Sequence, residues 1–513
     1  MPTPPADEFA PRRRAVARVR STLSAAQRRD LTTLVAAHPV LADVGRRFAE
    51  AGEEIALVGG PVRDALLGRA RPNDLDLTTS ARPERTLEIV SGWADATWEI
   101  GIAYGTIGLR KGDDHLEITT YRSDVYAASS RKPAVAFGDS LAGDLRRRDF
   151  TVNAMAVQLP GLDFVDPTEG LDDLADQVIT TPGAPEDSFS DDPLRMLRAA
   201  RFAAQLGFEV DPATISAIRS MTGRLAIISA ERVRDEMIKL LVVPEPRRGL
   251  SLLVDTGLAE LVLPELPRLQ LEIDEHHHHK DVYEHTLTVL EQAIALEQAD
   301  RSESQAEPEP DFVLRFAALM HDVGKPKTRR HEPDGGVSFH HHEVIGAKLT
   351  KARMKTLRFP KDVTDAVCLL VELHLRFHGY ADAEWSDAAV RRYVRDAGDQ
   401  LDRLHKLTRA DCTTRNTRKA DRLRRAYDDL ELRIAALREQ EELGAMRPDL
   451  DGNAIIELLG VAPGPVVGQA YRYLLELRVE HGPLGPERAR EALLAWWTEQ
   501  PGPGPRAAGS GRR

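Results

Sequence analysis

Residues 54–79 read EIALVGGPVRDALLGRARPNDLDLTT, and the fold turns on how this stretch divides. The apolar run stops at Gly59 and Gly60, the pattern of a strand running into a glycine turn. VRDALLG follows with helical character, and DLDLTT reads as a short strand. Period-two geometry then points Asp74 and Asp76 to one face. Two carboxylates on one face can bind Mg²⁺, which takes oxygen ligands and often one or two carboxylates together with substrate phosphates. A turn or strand-end pair is the plainer account of Asp-Leu-Asp alone, but its surroundings favour chemistry. Upstream, glycine amides and a helix N-terminus converge on an anion-binding spot, where Arg63 adds a fixed charge. Downstream, Glu117 in HLEITTYR lies on another strand and is either a third ligand or a solvent-facing strand residue.

Working outward, a helix near Glu84 to Trp93 and the strands TIGLRK and HLEITTYR continue an α/β alternation that ends near Asp166. From about Leu171 to Leu266 the pattern is almost wholly helical, with SDDPLRMLRAARFAAQLGF and SAERVRDEMIKLL as its clearest amphipathic pieces. A histidine-rich helical block runs from about Asp274 to Thr414, interrupted by EQADRSESQAEPEPD, which reads as a mobile loop. Leu423, Tyr427, Leu430, Ile434 and Leu437 then alternate steps of four and three, the spacing of a long helix packed along a narrow seam. DGNAIIELLGVAPGPVVGQAYRYLLELRVEHG follows as helix, Gly/Pro turn and helix. These divisions give a flexible tail over 1–30 and domains over 31–170, 171–270, 271–415 and 416–498, with a disordered end over 499–513.

A chain of 513 residues is too long for one core, and 42% hydrophobic residues are enough for several. No apolar run of about 18 residues appears, so a soluble protein without a membrane span is expected. The net charge of −12 argues against coating nucleic acid by bulk charge, so an RNA or DNA partner must meet a local basic patch. Two cysteines, Cys368 and Cys412, exclude a disulfide framework or a thiolate zinc cluster and fit a reducing, cytoplasmic setting.

LVGGPVRDALLG, DLDLTT, EITTYR, RRRDFTVNAM, DDPLRMLRAARFAAQLGF and SAERVRDEM together resemble the class II tRNA nucleotidyltransferases and bacterial poly(A) polymerases, over roughly residues 40 to 270. The resemblance implies a multidomain α+β chain. A polymerase-beta-like nucleotidyltransferase head, a small mixed sheet with helices, precedes all-α neck, HD and tail domains. It implies that Asp74 and Asp76 hold Mg²⁺, that Glu117 assists where the primer 3′-hydroxyl is activated, and that CTP, ATP and the tRNA 3′ acceptor end are the partners. In-line displacement at an α-phosphate needs no covalent nucleophile. Arg147, Arg148 and Asp149 match the ribose and triphosphate contacts of the family, with Asn153 one helical turn beyond, while Gly59, Gly60 and Arg63 line the turn. Singly, the arginines read equally as a basic loop capping a helix at Asp149.

Asp192, Arg195 and Arg198 are spaced for one helical face. A capped helix with ion pairs explains that spacing, whereas the resemblance implies base selection at Asp192 and Arg195, a triphosphate contact at Arg198, and support from Glu231 and Arg234. A carboxylate only accepts and a guanidinium only donates, so the pair asks for an exocyclic amine beside a ring-nitrogen acceptor. Cytosine and adenine offer that, whereas uracil and guanine do not. Asp191 stands where the family usually has glutamate.

His285, His321, Asp322, His342, His374 and Asp411 fall in the order of an HD-type metal phosphohydrolase domain, with LMHDVGKP and HHHEVIGA as its neighbours. Such ligands suit Mn²⁺, Fe²⁺, Co²⁺, Ni²⁺ or Mg²⁺, and the spacing of HEVIG selects His342 over His340 and His341. His276 to His279 are internal and read as native sequence of open role. The long helix and the C-terminal region are expected to hold the tRNA acceptor arm, or else to be solvated charged helices. The reading is thus a tRNA nucleotidyltransferase adding CCA, or CC or A; the alternatives are a poly(A) polymerase, and an HD phosphohydrolase acting on nucleotide or cyclic phosphate. Oligomeric state is not readable from the chain.

Overall fold

The structure, a computed structural model, describes residues 22–69, 74–99, 101–123, 136–270, 281–299, 309–333, 337–377, 380, 385–412, 417–441 and 447–500. His276 to His279 and most of the acidic insertion lie outside the described residues, as does 1–21, and Asp74 is described by its backbone alone. The chain divides into two compact units, Met1–Pro264 and Glu265–Arg513.

In the first unit, helices α1 (Ala25–Ala37) and α2 (Pro39–Glu50) precede β1 (Ile55–Val58), α3 (Gly60–Leu66), β2 (Asp74–Thr79), α4 (Pro83–Val90), β3 (Ala96–Trp98), β4 (Thr106–Lys111) and β5 (Asp114–Thr120). A small ribbon joins β6 (Arg122–Ser123) to β7 (Ala136–Phe137), after which come α5 (Leu141–Arg146), β8 (Ala156–Leu159) and β9 (Asp163–Val165). The main sheet has the order β3-β4-β5-β2-β1-β8-β9 and is antiparallel except where β2 pairs β5. The expected flexible tail over 1–30 is overturned at its end. Ser24 accepts from the Gln27 amide, and Gln27 reaches back to the Ser24 amide, a capping box that starts α1 at Ala25.

Alternation sets the two faces of the sheet. Leu75, Leu77, Leu116 and Ile118 are buried together with Phe48 and Val62, while Asp76 and Glu117 are exposed. Each fully buried aliphatic or aromatic side chain contributes about 1.5–3 kcal/mol, so a slip of one residue that moved the carboxylates inward would be costly. The parallel register sets Asp76 directly beside Glu117, and Asp74 beside His115.

The neck adds α6 (Gly170–Asp176), α7 (Pro185–Asp191), α8 (Arg195–Leu206), α9 (Pro212–Met221), α10 (Ala230–Leu241) and α11 (Arg247–Asp255). It is not wholly helical, because Val178–Ile179 pairs in parallel with Glu209–Val210. The buried Ala199, Ala200, Ala203 and Ala204 give α8 a smooth face for its neighbours.

In the second unit, Val282–Ala299, Phe312–Met320, His342–Thr356, Lys361–Leu373 and Leu401–Asp411 form a helical cluster. The buried Arg315 is held there by Glu297 at 2.9 Å. A two-residue pairing of Arg330–His331 with Val337–Ser338 interrupts the all-helical pattern. The long helix Thr417–Glu441 buries Leu423, Tyr427, Leu430, Ile434 and Leu437, the five positions of the seam. Helices Gly452–Leu459, Pro465–His481 and Pro486–Glu499 close a separate small core around Ile455, Leu474 and Leu493.

Candidate active site and metal centre

Gly59 ends β1 at φ 75° and ψ −129°, a conformation open to glycine, and a Cβ there would approach Arg148 Nη1 to 3.1 Å. Helix α3 starts directly behind this turn. The charge of Arg63, expected to be fixed beside the turn, is held by its neighbours. Arg63 is buried, donating through Nη1 to Asn153 at 2.5 Å and through Nε and Nη2 to Asp64 at 2.8 and 2.9 Å, so it orders the floor of the site.

Around the turn gather Arg122, Arg147 and Arg148. The buried Asp144 accepts from the Arg122 amide at 3.2 Å, Thr78 at 3.2 Å and Arg148 at 3.5 Å. Burial lowers Arg122 from the usual guanidinium value; Asp144 pulls it up, and Arg147 and Arg148 push it down. The Nε atoms of Arg122 and Arg148 are buried without a hydrogen-bond partner. The charges of Arg122, Arg147 and Arg148, with Asp144 beside them, leave an excess of positive charge near backbone amides, a setting suited to a polyphosphate.

Asn153 links this floor to the neck, donating to Asp149 at 3.1 Å. Arg198 on α8 donates to Asp149 through Nε at 2.8 Å and Nη2 at 2.5 Å. Burial favours the neutral acid at Asp149, but Arg198 and Asn153 outweigh it and hold the carboxyl at about 2.

Asp192, Arg195 and Arg198 do not share one helix, because Asp192 caps the end of α7 and α8 begins at Arg195. Pro193 removes an amide donor and favours extended backbone before it, and Asp192 sits at φ −141° and ψ 98°. Asp192 and Arg195 still share one turn, the Arg195 amide donating to the Asp192 carbonyl at 3.0 Å. Their side chains have internal partners: Asp192 accepts from the Leu194 amide and from Arg232, and Arg195 donates to the Arg147 carbonyl at 2.6 Å and Ser188 at 2.8 Å.

Within the sheet, Asp76 and Glu117 are exposed neighbours on strands that lie about 4.8 Å apart. That all-oxygen pair fits a hard divalent cation bound together with phosphate oxygens.

In the second unit the six HD residues gather from separate helices. His321, His342 and His374 each direct Nδ1 at a backbone carbonyl, Ala318, Phe339 and Val371, at 2.7–2.8 Å, which turns Nε2 inward. Those Nε2 atoms are buried and face one another and the carboxylates of the cluster. His285 Nε2 lies 3.0 Å from Asp411, and Asp322 lies 3.2 Å from His321 and 3.3 Å from His342. Burial opposes a charge on His321, yet Asp322 and Asp411 hold its pKa up to about 10. Burial, then His321 and His342, push His374 down to about 3. A proton held among carboxylates and inward nitrogens marks the place of a cation, and two ligand groups, His285/His321/Asp411 and Asp322/His342/His374, could each hold one. His340 and His341 are exposed, whereas His342 is buried. Gly324 allows the close helix approach, since a Cβ there would sit 2.0 Å from the His342 carbonyl oxygen.

Residues 55–180 match the Poly A polymerase head domain, 207–269 the probable RNA and SrmB-binding site of polymerase A, and 282–416 the HD domain. An A-adding tRNA nucleotidyltransferase of Deinococcus radiodurans is 36% identical over 457 residues, covering 87% of this chain and 96% of that protein. The chain belongs to the tRNA nucleotidyltransferase family. A CC-adding tRNA nucleotidyltransferase of Thermus thermophilus is 33% identical over 450 residues, 86% of this chain and 93% of that one. The crystal structure of Bacillus stearothermophilus CCA-adding enzyme in complex with CTP superposes with a TM-score of 0.59 at 25% identity, over 90% of this chain and 98% of that chain.

Four residues of this tRNA nucleotidyltransferase that support the site were not singled out in the sequence. Asp144 and Arg122 meet beside the glycine turn, Arg232 holds Asp192 at 2.7 Å, and Glu236 holds Arg201 at 2.7 Å while lying 3.8 Å from Arg198. On α10 these contacts come from Arg232 and Glu236. The one signal available was helical spacing, since Arg232 and Glu236 are four apart on α10.

Proposed function

We propose that this tRNA nucleotidyltransferase adds CCA to tRNA 3′ ends from CTP and ATP without a nucleic-acid template, releasing pyrophosphate. The carrying observation is the tight turn, closed by the Arg195 amide on the Asp192 carbonyl, that keeps an aspartate and an arginine together at the junction of α7 and α8. One acceptor and one donor suit the amine edge of cytosine and of adenine alike, so a single site serves both nucleotides. Arg122, Arg147 and Arg148 receive the triphosphate at the Gly59 turn, and the Asp149–Arg198 pair ties that region to the base-selecting turn. Asp74, Asp76 and Glu117 would hold Mg²⁺, which when bound activates the primer 3′-hydroxyl and steadies the leaving pyrophosphate. The neck and the helices beyond residue 416 are assigned to the tRNA acceptor arm. The absence of a disulfide at Cys368 and Cys412 supports action in the cytoplasm, and among the described residues no helix is long and apolar enough to cross a membrane.

The test uses tRNA transcripts lacking the last three, two or one nucleotides, extended with labelled CTP and ATP. Stepwise addition that stops at CCA supports the proposal. Addition confined to CC or to A would replace it with a divided pathway, the reading favoured by the names of the two relatives that span nearly the whole chain. A long adenosine ladder on any RNA would make the chain a poly(A) polymerase.

The buried, inward Nε2 atoms favour a second activity, metal-dependent hydrolysis of a nucleotide or cyclic phosphate at the HD cluster. Imidazole with carboxylate suits Mn²⁺, Fe²⁺, Co²⁺ or Ni²⁺. Hydrolysis that survives Asp76→Ala and requires added metal would support it.

A further inference from the structure

We propose that Trp98 is the stacking platform for the 3′-terminal nucleobase of the RNA primer, an inference that rests on Asp76 and Glu117 being the transfer centre. Trp98 pairs with Gly108, Gly108 with Glu117, and Glu117 with Asp76, across β3, β4, β5 and β2. Residues in register point to one face, so an indole, a bare glycine and two carboxylates form one row on the sheet. The indole occupies the space the glycine leaves, since a Cβ on Gly108 would lie 1.9 Å from Trp98 Nε1 and 2.2 Å from Cε2. The ring therefore sits over Gly108, on the strand next to that of Glu117. Gly108 is buried, although Glu117 beside it and Arg110 two residues on are exposed. His115, exposed on the same face as Glu117, stands with its ring 6.0 Å from the indole at 48°. Trp98 is itself only half-buried, so its outer surface stays open to solvent.

Two nucleobases must approach the carboxylates during transfer. The base of the incoming nucleotide is assigned to Asp192 and Arg195 in the neck. The remaining base belongs to the terminal nucleotide of the RNA, whose 3′-hydroxyl has to reach Asp76 and Glu117. Its identity changes with each addition, so hydrogen-bond readout there would fail in some cycles. Stacking on an aromatic face accepts any base and is a common means of holding single-stranded RNA.

The test uses the full-length enzyme and a tRNA acceptor minihelix with 2-aminopurine at its 3′ terminus, comparing wild type, Trp98→Phe, Trp98→Ala and Gly108→Ala. Wild type should quench the 2-aminopurine on binding and Trp98→Phe should retain the effect. Trp98→Ala should lose it, with primer KM raised about tenfold and KM for CTP unchanged. Gly108→Ala, which keeps the indole but drives it from its seat, should lose the quench as well. Wild-type quench and primer KM in Trp98→Ala would overturn the proposal, as would an equal rise in KM for CTP and primer that Trp98→Phe does not rescue. Failure of the wild-type enzyme to extend tRNA would instead strike the assigned function, because the binding signal is read without turnover.

Discussion

Asp149 accepts from the Phe150 amide, from Asn153 and twice from Arg198, and its folded pKa of about 2 lies below the value near 4 of an unfolded chain. The stability it contributes is full above about pH 4 and is lost as the pH falls through about 2. Asp149→Asn should thus cost about 2 kcal/mol at pH 7, with the gap from wild type closing toward pH 2 in urea unfolding. Asp76 answers a different question. It is exposed, so Asp76→Ala should change stability by no more than about 0.5 kcal/mol yet slow nucleotide incorporation by about a thousandfold, read on primer-extension gels at saturating CTP. Asp76 and Glu117 could be picked out as carboxylates on predicted strands beside a glycine turn, and Asp149 and Arg195 through the resemblance of their motifs to the family. Arg232, Asp144 and Arg122 could not, because each earns its place through a partner far along the chain, 40 residues away for Arg232 and 22 for the Arg122–Asp144 pair.

At the level of elements, β1, β2, β4 and β5 were legible because each is bounded by turns and carries an apolar run or alternation. β3 has three residues and shows no period, and AVQL in β8 is followed too closely by Pro160 and Gly161 to stand out. Missing β3 hid Trp98, whose place depends on antiparallel pairing with β4. The break between α7 and α8 also escaped the periodicity, since DDPLRMLR keeps helical spacing across a proline that the backbone does not follow. In the second unit, the motif glycine sets the distance between two helices. Gly324→Ala puts a methyl group against the His342 backbone, which cannot swing aside as a side chain would. That substitution should destabilise the second unit by about 1–3 kcal/mol and reduce bound Mn²⁺ or Ni²⁺, measured by calorimetric titration and metal analysis.

For the molecule as a whole, two compact units each carry a candidate centre built from their own residues. His321→Ala should therefore leave CTP and ATP incorporation within about twofold of wild type while abolishing metal-dependent phosphohydrolysis, and parallel loss of both would show that the units act as one. The sequence made this division readable through the change from alternation to helix and then to histidine-bearing helices. The boundary between head and neck was less sharp. Arg198 and Arg195 on α8 bond back to Asp149 and Arg147, so the two parts join into a single unit.

On the proposed reading, Arg195 and Asp192 would meet a nucleotide with part of their hydrogen-bonding capacity already engaged, by Arg147, Ser188, Leu194 and Arg232. A matching base trades one set of bonds for an equivalent set and gains little net affinity. A mismatched base would break the internal set and return nothing, leaving half-buried groups without their partners. Fidelity in such an arrangement is a matter of rejection: correct and incorrect triphosphates differ chiefly in how readily they are turned away, and weak binding of the right nucleotide is the natural companion of sharp selection.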